Sequence, residues 1–234
     1  MTKARIFTFV AIFMAFALLG IGLAHHFWGR LSSPSPRPAS GAPLPVGVQQ
    51  NILIIHMDDL DRPSPSLISV WVATYAAYER PFVTFKALYP DPLSSQPIIP
   101  LSIRFALNED GAPAQSFLNW LRDQNLDWAA YVLIDQQGVI QVAGYLGSGD
   151  LERIIPRHRD QLLQVWEQET QLMQYLCLRL QSKIDSTAKF PWKDMIPDHL
   201  RTDLTFEEAI VLWDHITAEK DALYCEVFGF KQIP

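Results

Sequence analysis

The stretch Asn51-Ile52-Leu53-Ile54-Ile55-His56-Met57-Asp58-Asp59-Leu60-Asp61-Arg62 constrains the fold more than any other part of the chain. Its first half is apolar with no polar alternation, which suits a strand covered on both faces. Three acids and an arginine follow within a few residues. Charges at the end of a buried strand suit the carboxyl edge of a sheet, where open α/β folds place their ligands. The expectation is one α/β domain, residues 51–234, organised around that strand.

What precedes it reads as membrane delivery. Residues 1–5 carry Lys3 and Arg5 and are expected to be a cytoplasmic tail. Residues 6–28 contain no Asp, Glu, Lys or Arg, and 6–24 are almost wholly apolar. About 20 apolar residues at helical rise span a bilayer core. Gly22-Leu23-Ala24 offers small residues for signal cleavage, but the apolar run exceeds the roughly 7–15 residues of a signal core. The expectation is therefore an uncleaved transmembrane anchor. Lys3, Arg5 and the free amine stand against Arg30 and Arg37, which places the N-terminus inside and the domain outside. Residues 29–50 are rich in Pro and Ser and read as a semi-rigid spacer.

The net charge of −6 argues against a nucleic-acid partner. Thirteen Phe and seven Trp suit a packed body rather than disorder. The two cysteines, Cys177 and Cys225, lie in apolar, helix-like contexts without metal-ligand spacing. They read first as buried thiols, with a disulfide open if the domain is exported.

The proline-rich turn 62–66 follows the first strand, and further strands are expected at 67–73 and 81–88. A helix is expected at 114–124, with Phe117, Leu118 and Leu121 on one face. Residues 128–134 and 139–144 read as a hairpin, with Gly138 supplying the positive φ of its turn. A long amphipathic helix is expected over 155–183, and a short one begins at Pro191. Thr205 with Glu208 three residues on forms a capping box that opens a last helix.

In this order the features resemble the LytR–CpsA–Psr family of bacterial envelope proteins. Asn51 to Asp58 is similar to that family's Asn-(Ile/Val)-Leu-Leu-Leu-Gly-x-Asp strand. Arg62-Pro63-Ser64-Pro65 stands at its Arg-Ser-Asp-Thr turn, and Ala87 to Pro92 at its Ser-Ile-Pro-Arg-Asp-Thr strand end. Tyr131 to Asp135 resembles Tyr-Val-x-Val-Asp, and Thr202-Asp203-Leu204-Thr205 resembles Thr-Asp-Leu-Ser. The resemblance covers about residues 51–217. It implies a mixed central sheet flanked by helices, outside the membrane. It also implies transfer of a glycopolymer from a polyprenyl-pyrophosphate lipid to peptidoglycan, with arginines and magnesium-binding aspartates at the site. Guanidinium groups and a metal neutralise the diphosphate as its bond breaks, and an apolar groove holds the tail.

Asp58, Arg62 and Asp91 match the family pattern and are the candidate catalytic residues, with Asp58 also the candidate Mg2+ ligand. Elsewhere the pattern fails. Ser64 replaces the acid of the turn, and Pro90 replaces the arginine before Asp91. The family's Arg-x-Arg followed by Arg-Gln-Gln has no clean counterpart: Arg157-His158-Arg159 stands near the first part, and the second falls near Glu169-Thr170-Gln171, an acid in place of an arginine. Each electrostatic contact removed costs about 2–4 kcal/mol of transition-state stabilisation. Lys86, Arg104, Arg157 and Arg159 are candidate ligand-binding cations. Lys86, Arg157, Arg159 and Arg62 also have plainer readings: Lys86 on a solvent face, Arg157 and Arg159 exposed at a helix start, Arg62 paired with its neighbouring acids. Asp58, Asp59 and Asp61 read equally as a cation site or a solvated strand end. His56 reads as a satisfied core histidine.

The leading expectation is an envelope protein that binds a polyprenyl-linked glycan, or assists its attachment, with reduced or no catalysis. An active transferase with relocated arginines and a purely structural module are the alternatives. They are separated by whether an apolar cavity of about 300 Å³ opens behind the first strand and which cations line it.

Overall fold

The computed structural model describes residues 49–76, 81–90, 101–145, 162–181, 192–218 and 223–228. The segments 1–48, with the expected anchor and most of the spacer, and 91–100, 146–161 and 182–191 lie outside the described residues. Among the described residues no helix is long and apolar enough to cross a membrane.

Six strands form one mixed sheet. They are β1 (Gln49–Met57), β2 (Leu67–Ala76), β3 (Phe82–Tyr89), β4 (Ala130–Asp135), β5 (Leu200–Thr202) and β6 (Tyr224–Phe228), in the order β5-β4-β1-β2-β3-β6. β1–β2, β2–β3 and β4–β5 pair antiparallel; β1–β4 and β3–β6 pair parallel. β1 thus has a neighbour on each side, as its unbroken apolar run requires.

The two sides of β1 feed two layers. Leu53, Ile55 and Met57 pack with Leu101 and Phe105 and with Phe117, Leu118 and Leu121 of α2 (Gln115–Asp123). Phe105 meets Phe117 edge-on, with ring centroids 5.3 Å apart. A single turn, α1 (Leu101–Arg104), precedes it. On the other side, Ile54 packs into a layer with Trp71, Val83 and Phe85 under α4 (Leu162–Gln181). Val165, Glu169, Met173 and Cys177 recur every four residues along the buried stripe of α4.

The expected hairpin is not present. Residues 136–145 form helix α3 (Gln136–Tyr145), and Gly138 lies in its first turn. β4 has no room for a hairpin partner, because β1 takes one edge and β5 the other. Instead the Asp135 carboxylate accepts the Gly138 N–H at 2.7 Å and caps α3. A glycine is needed at 138 for close approach rather than positive φ: a Cβ there would stand 2.6 Å from the His199 carbonyl.

Cys225 also departs from expectation. It lies in strand β6 and is disulfide-bonded to Cys177 of α4. The edge strands β5 and β6 had no sequence expectation because both are short. The short helix α5 (Trp192–Met195) and the last helix α6 (Phe206–Ala218) stand where expected. The capping box at the start of α6 is formed: Glu208 N–H reaches Thr205 Oγ1 at 3.2 Å, and Thr205 N–H reaches Glu208 Oε2 at 2.8 Å.

Candidate functional site

β1 and β4 run parallel, and Met57 lies beside Asp135 where both strands end. The loop after β1 therefore opens at the carboxyl edge of the sheet, and Asp58 organises it. Its side chain is only 2 % exposed. Oδ1 accepts the Ser66 N–H and Oδ2 accepts Arg62 Nη1, each at 2.7 Å. Arg62 itself is largely exposed and also lies 3.7 Å from Asp59. Asp61 is exposed and accepts Arg201 Nη2 at 3.1 Å. The paired reading of Arg62 is thus realised in this geometry.

These acids do not converge. Asp58 points into the loop while Asp59 and Asp61 face solvent. Among the described residues no group of three His, Cys, Asp or Glu side chains is placed to hold a metal ion. Asp91, Arg157 and Arg159 lie outside the described residues. Lys86 is exposed on β3. The Arg104 guanidinium sits 5.6 Å from the Trp120 ring, in the layer of α1 and α2. The structure thus joins Asp58 to Arg62 and sets Arg104 and Lys86 elsewhere.

Behind β1, on the layer of α3 and α4, lies a cavity of about 260 Å³ with an almost wholly apolar wall. Ile52, Ile54 and His56 of β1 form its floor, Val139, Val142 and Ala143 of α3 one side, and α4 the roof. Among the described residues lining it there is no Lys or Arg. Its ionisable pair is His56 and Glu169. Glu169 is fully buried, accepts from His56 Nδ1 at 2.9 Å, and also accepts the Ser69 hydroxyl. Burial pushes the Glu169 carboxyl up. The charge of His56, its hydrogen bond and that of Ser69 outweigh this and hold the carboxyl below its ordinary value. The Trp71 indole N–H adds to the lowering from a position outside strict hydrogen-bond geometry.

The pair is one the sequence did not disclose. Only the packing of α4 on β1 and β2 brings them together, 113 residues apart. His56 is satisfied on one nitrogen only: Nε2 is shielded and has no partner among the described residues. A buried polar group in that state costs about 1–3 kcal/mol.

Other motif residues are fasteners. Asn51 Nδ2 donates to the Asp127 carbonyl and its Oδ1 accepts from Thr74, tying β1 to β2 and to the approach to β4. Thr202 Oγ1 donates to the Tyr131 carbonyl, and Asp203 accepts the Tyr131 N–H, fixing β5 on β4. Sequence reasoning missed Asp135, whose Oδ2 lies 3.0 Å from His199 Nδ1, and Arg201. An acid at a strand end three residues before a glycine was the available signal for Asp135.

No family model and no curated protein matches the chain. Solved structures do. Bacillus subtilis TagV aligns with a TM-score of 0.52 at 12 % identity, over 76 % of this chain and 84 % of its own. TagT, in a structure described as bound to LIIa-WTA, aligns at 0.51 and 10 % identity, over 77 % and 78 %. A Bacillus subtilis protein described as the transcriptional regulator yvhJ aligns at 0.50 and 13 %, over 76 % and 81 %. At such identities what is shared is the fold. Tertiary structure and motif order agree on it: this chain shares the fold of these structures and resembles the LytR–CpsA–Psr family.

Proposed function

We propose that the chain is a membrane-anchored envelope protein, held by residues 6–28 with residues 51–234 outside the cytoplasmic membrane. It holds the lipid part of a polyprenyl-linked glycan, or assists attachment of that glycan to peptidoglycan, with reduced or no transfer activity. The apolar cavity behind β1 carries this reading. Its volume of about 260 Å³ falls just below the roughly 300 Å³ at which small-molecule sites begin. The Cys177–Cys225 disulfide supports an exported domain, because such bonds persist in oxidising compartments. Weakened catalysis follows from charge. Arg62 is paired with Asp58, and the family resemblance sets an acid, Glu169, near an arginine position of the motif. A diphosphate leaving group needs several cations in place, and the described wall of the cavity supplies none.

The test is incubation of the full chain with geranyl pyrophosphate and magnesium. The expected result is retention of the lipid without phosphate release above a protein-free control. Release that Asp58→Ala and Arg62→Ala each abolish would establish an active transferase instead. Failure to retain the lipid would leave only a structural module.

A further inference from the structure

The apolar cavity and the charged loop after β1 adjoin the same strand, and a row of buried polar side chains stands between them. Ile52, Ile54 and His56 line the cavity in turn, and Asp58 follows His56 by two residues. At a strand rise of about 3.3 Å per residue those two positions are at most roughly 7 Å apart. β2 repeats the order: Ser69 pairs with His56, and beyond that row the Asp58 N–H donates to the Ser66 carbonyl at 3.1 Å. From α4, Glu169 completes the row by accepting from both His56 Nδ1 and the Ser69 hydroxyl. His56 is 1 % exposed, Glu169 is fully buried, and His56 Nε2 is shielded. His56 and Glu169 line the cavity, whereas Asp58, Arg62 and Ser66 do not. The cavity ends at this row, and the Asp58–Arg62 pair lies just past it.

We propose that the row of His56, Glu169 and Ser69 is a partition, which admits the hydrocarbon of a lipid diphosphate to the cavity and keeps its headgroup from Asp58 and Arg62. His56 and Glu169 are thereby specificity-determining residues, because they set which part of the ligand occupies the space behind β1. The row resists opening: withdrawing the imidazole leaves the Glu169 carboxylate buried and uncompensated, and Ser69 holds that carboxylate from the other side. The inference rests on reading the cavity as a lipid site and deepens that reading. It gives a physical reason for retention without transfer, since the tail is held while the diphosphate stays on the far side of the partition from the loop.

The experiment measures geranyl pyrophosphate affinity of the full chain in lipid nanodiscs, corrected against protein-free discs, as a double-mutant cycle. One axis opens the partition with His56→Ala/Glu169→Ala; the other is Arg62→Ala. The affinity lost through Arg62→Ala should be about tenfold greater in the opened chain than in the wild-type background, the size of one hydrogen bond between charged groups. Geraniol, which has the same tail without the diphosphate, should show no such difference. His56→Leu/Glu169→Leu keeps the row filled and should match the wild-type background, which separates blockage from the charge of the pair. An equal Arg62→Ala loss in both backgrounds, or the same difference with geraniol or in the leucine chain, would overturn the partition and leave the lipid site standing. Should the alanine pair fail to fold, the 15N resonances of the Arg62 guanidinium in the wild type decide. Geranyl pyrophosphate should shift them no more than an equal concentration of inorganic pyrophosphate; a larger shift would overturn the proposal. Binding of neither geraniol nor geranyl pyrophosphate by the wild type would remove the lipid site, and the partition with it.

Discussion

Replacing Glu169 by leucine tests the centre of the structure. Glu169 is fully buried, and the wild-type carboxylate accepts hydrogen bonds from His56 Nδ1 and the Ser69 hydroxyl. Hydrogen bonds to a charged group contribute about 1.5–3 kcal/mol each, which gives roughly 3–6 kcal/mol for the two. Removing one partner of a buried pair costs about 3–5 kcal/mol by independent measure, because the other is left uncompensated. The two ranges overlap, and a loss of about 3–5 kcal/mol is expected for Glu169→Leu. The double variant His56→Leu/Glu169→Leu should recover most of it, since an apolar pair of similar volume often matches a buried ion pair. Urea unfolding of the full chain in mild detergent, at neutral pH with the disulfide oxidised, measures both. pH supplies a second check. The folded carboxyl lies below its ordinary 4.5. Its stabilisation is therefore fully present above about 4.5 and is lost as pH falls through the lower folded value. The gap between wild type and Glu169→Leu should close on acidification. A loss under about 1 kcal/mol, or a double variant no more stable than the single, would refute the account.

Three further outcomes are expected. Replacing Cys177 and Cys225 by serine should cost about 4 kcal/mol in urea unfolding, from their 48-residue separation by loop closure; an unchanged midpoint would refute a stabilising link between α4 and β6. Gly138→Ala should cost about 1–3 kcal/mol in a thermal melt, since its Cβ would fall 2.6 Å from the His199 carbonyl and 2.9 Å from Ile134 Cγ1. Thr205→Ala should cost about 1 kcal/mol through loss of the cap, and Thr205→Ser should restore most of it.

Several elements were legible because their signal is local. β1 was readable from its unbroken apolar run, α2 from Phe117, Leu118 and Leu121, and the start of α6 from Thr205 and Glu208. Residues 139–144 misled because Val139, Val142 and Ala143 suit a helical face as well as a strand. The tie was broken by the neighbours of β4, which sequence spacing does not report. The cysteines were ambiguous for the same reason: their partnership depends on α4 lying over β6.

The sequence by itself determined a buried central strand, its acidic exit and the order of motifs around it, because periodicity and capping act over a few residues. Its resemblance to the family also set an acid, Glu169, near an arginine position of the motif. Only the tertiary structure decided what that acid does. Packing α4 across β1 and β2 set Glu169 against His56 and Ser69, and left the space between those elements as a cavity. Charge pairing at 2.9 Å across 113 residues is a property of packing, and no local pattern in the chain encodes it.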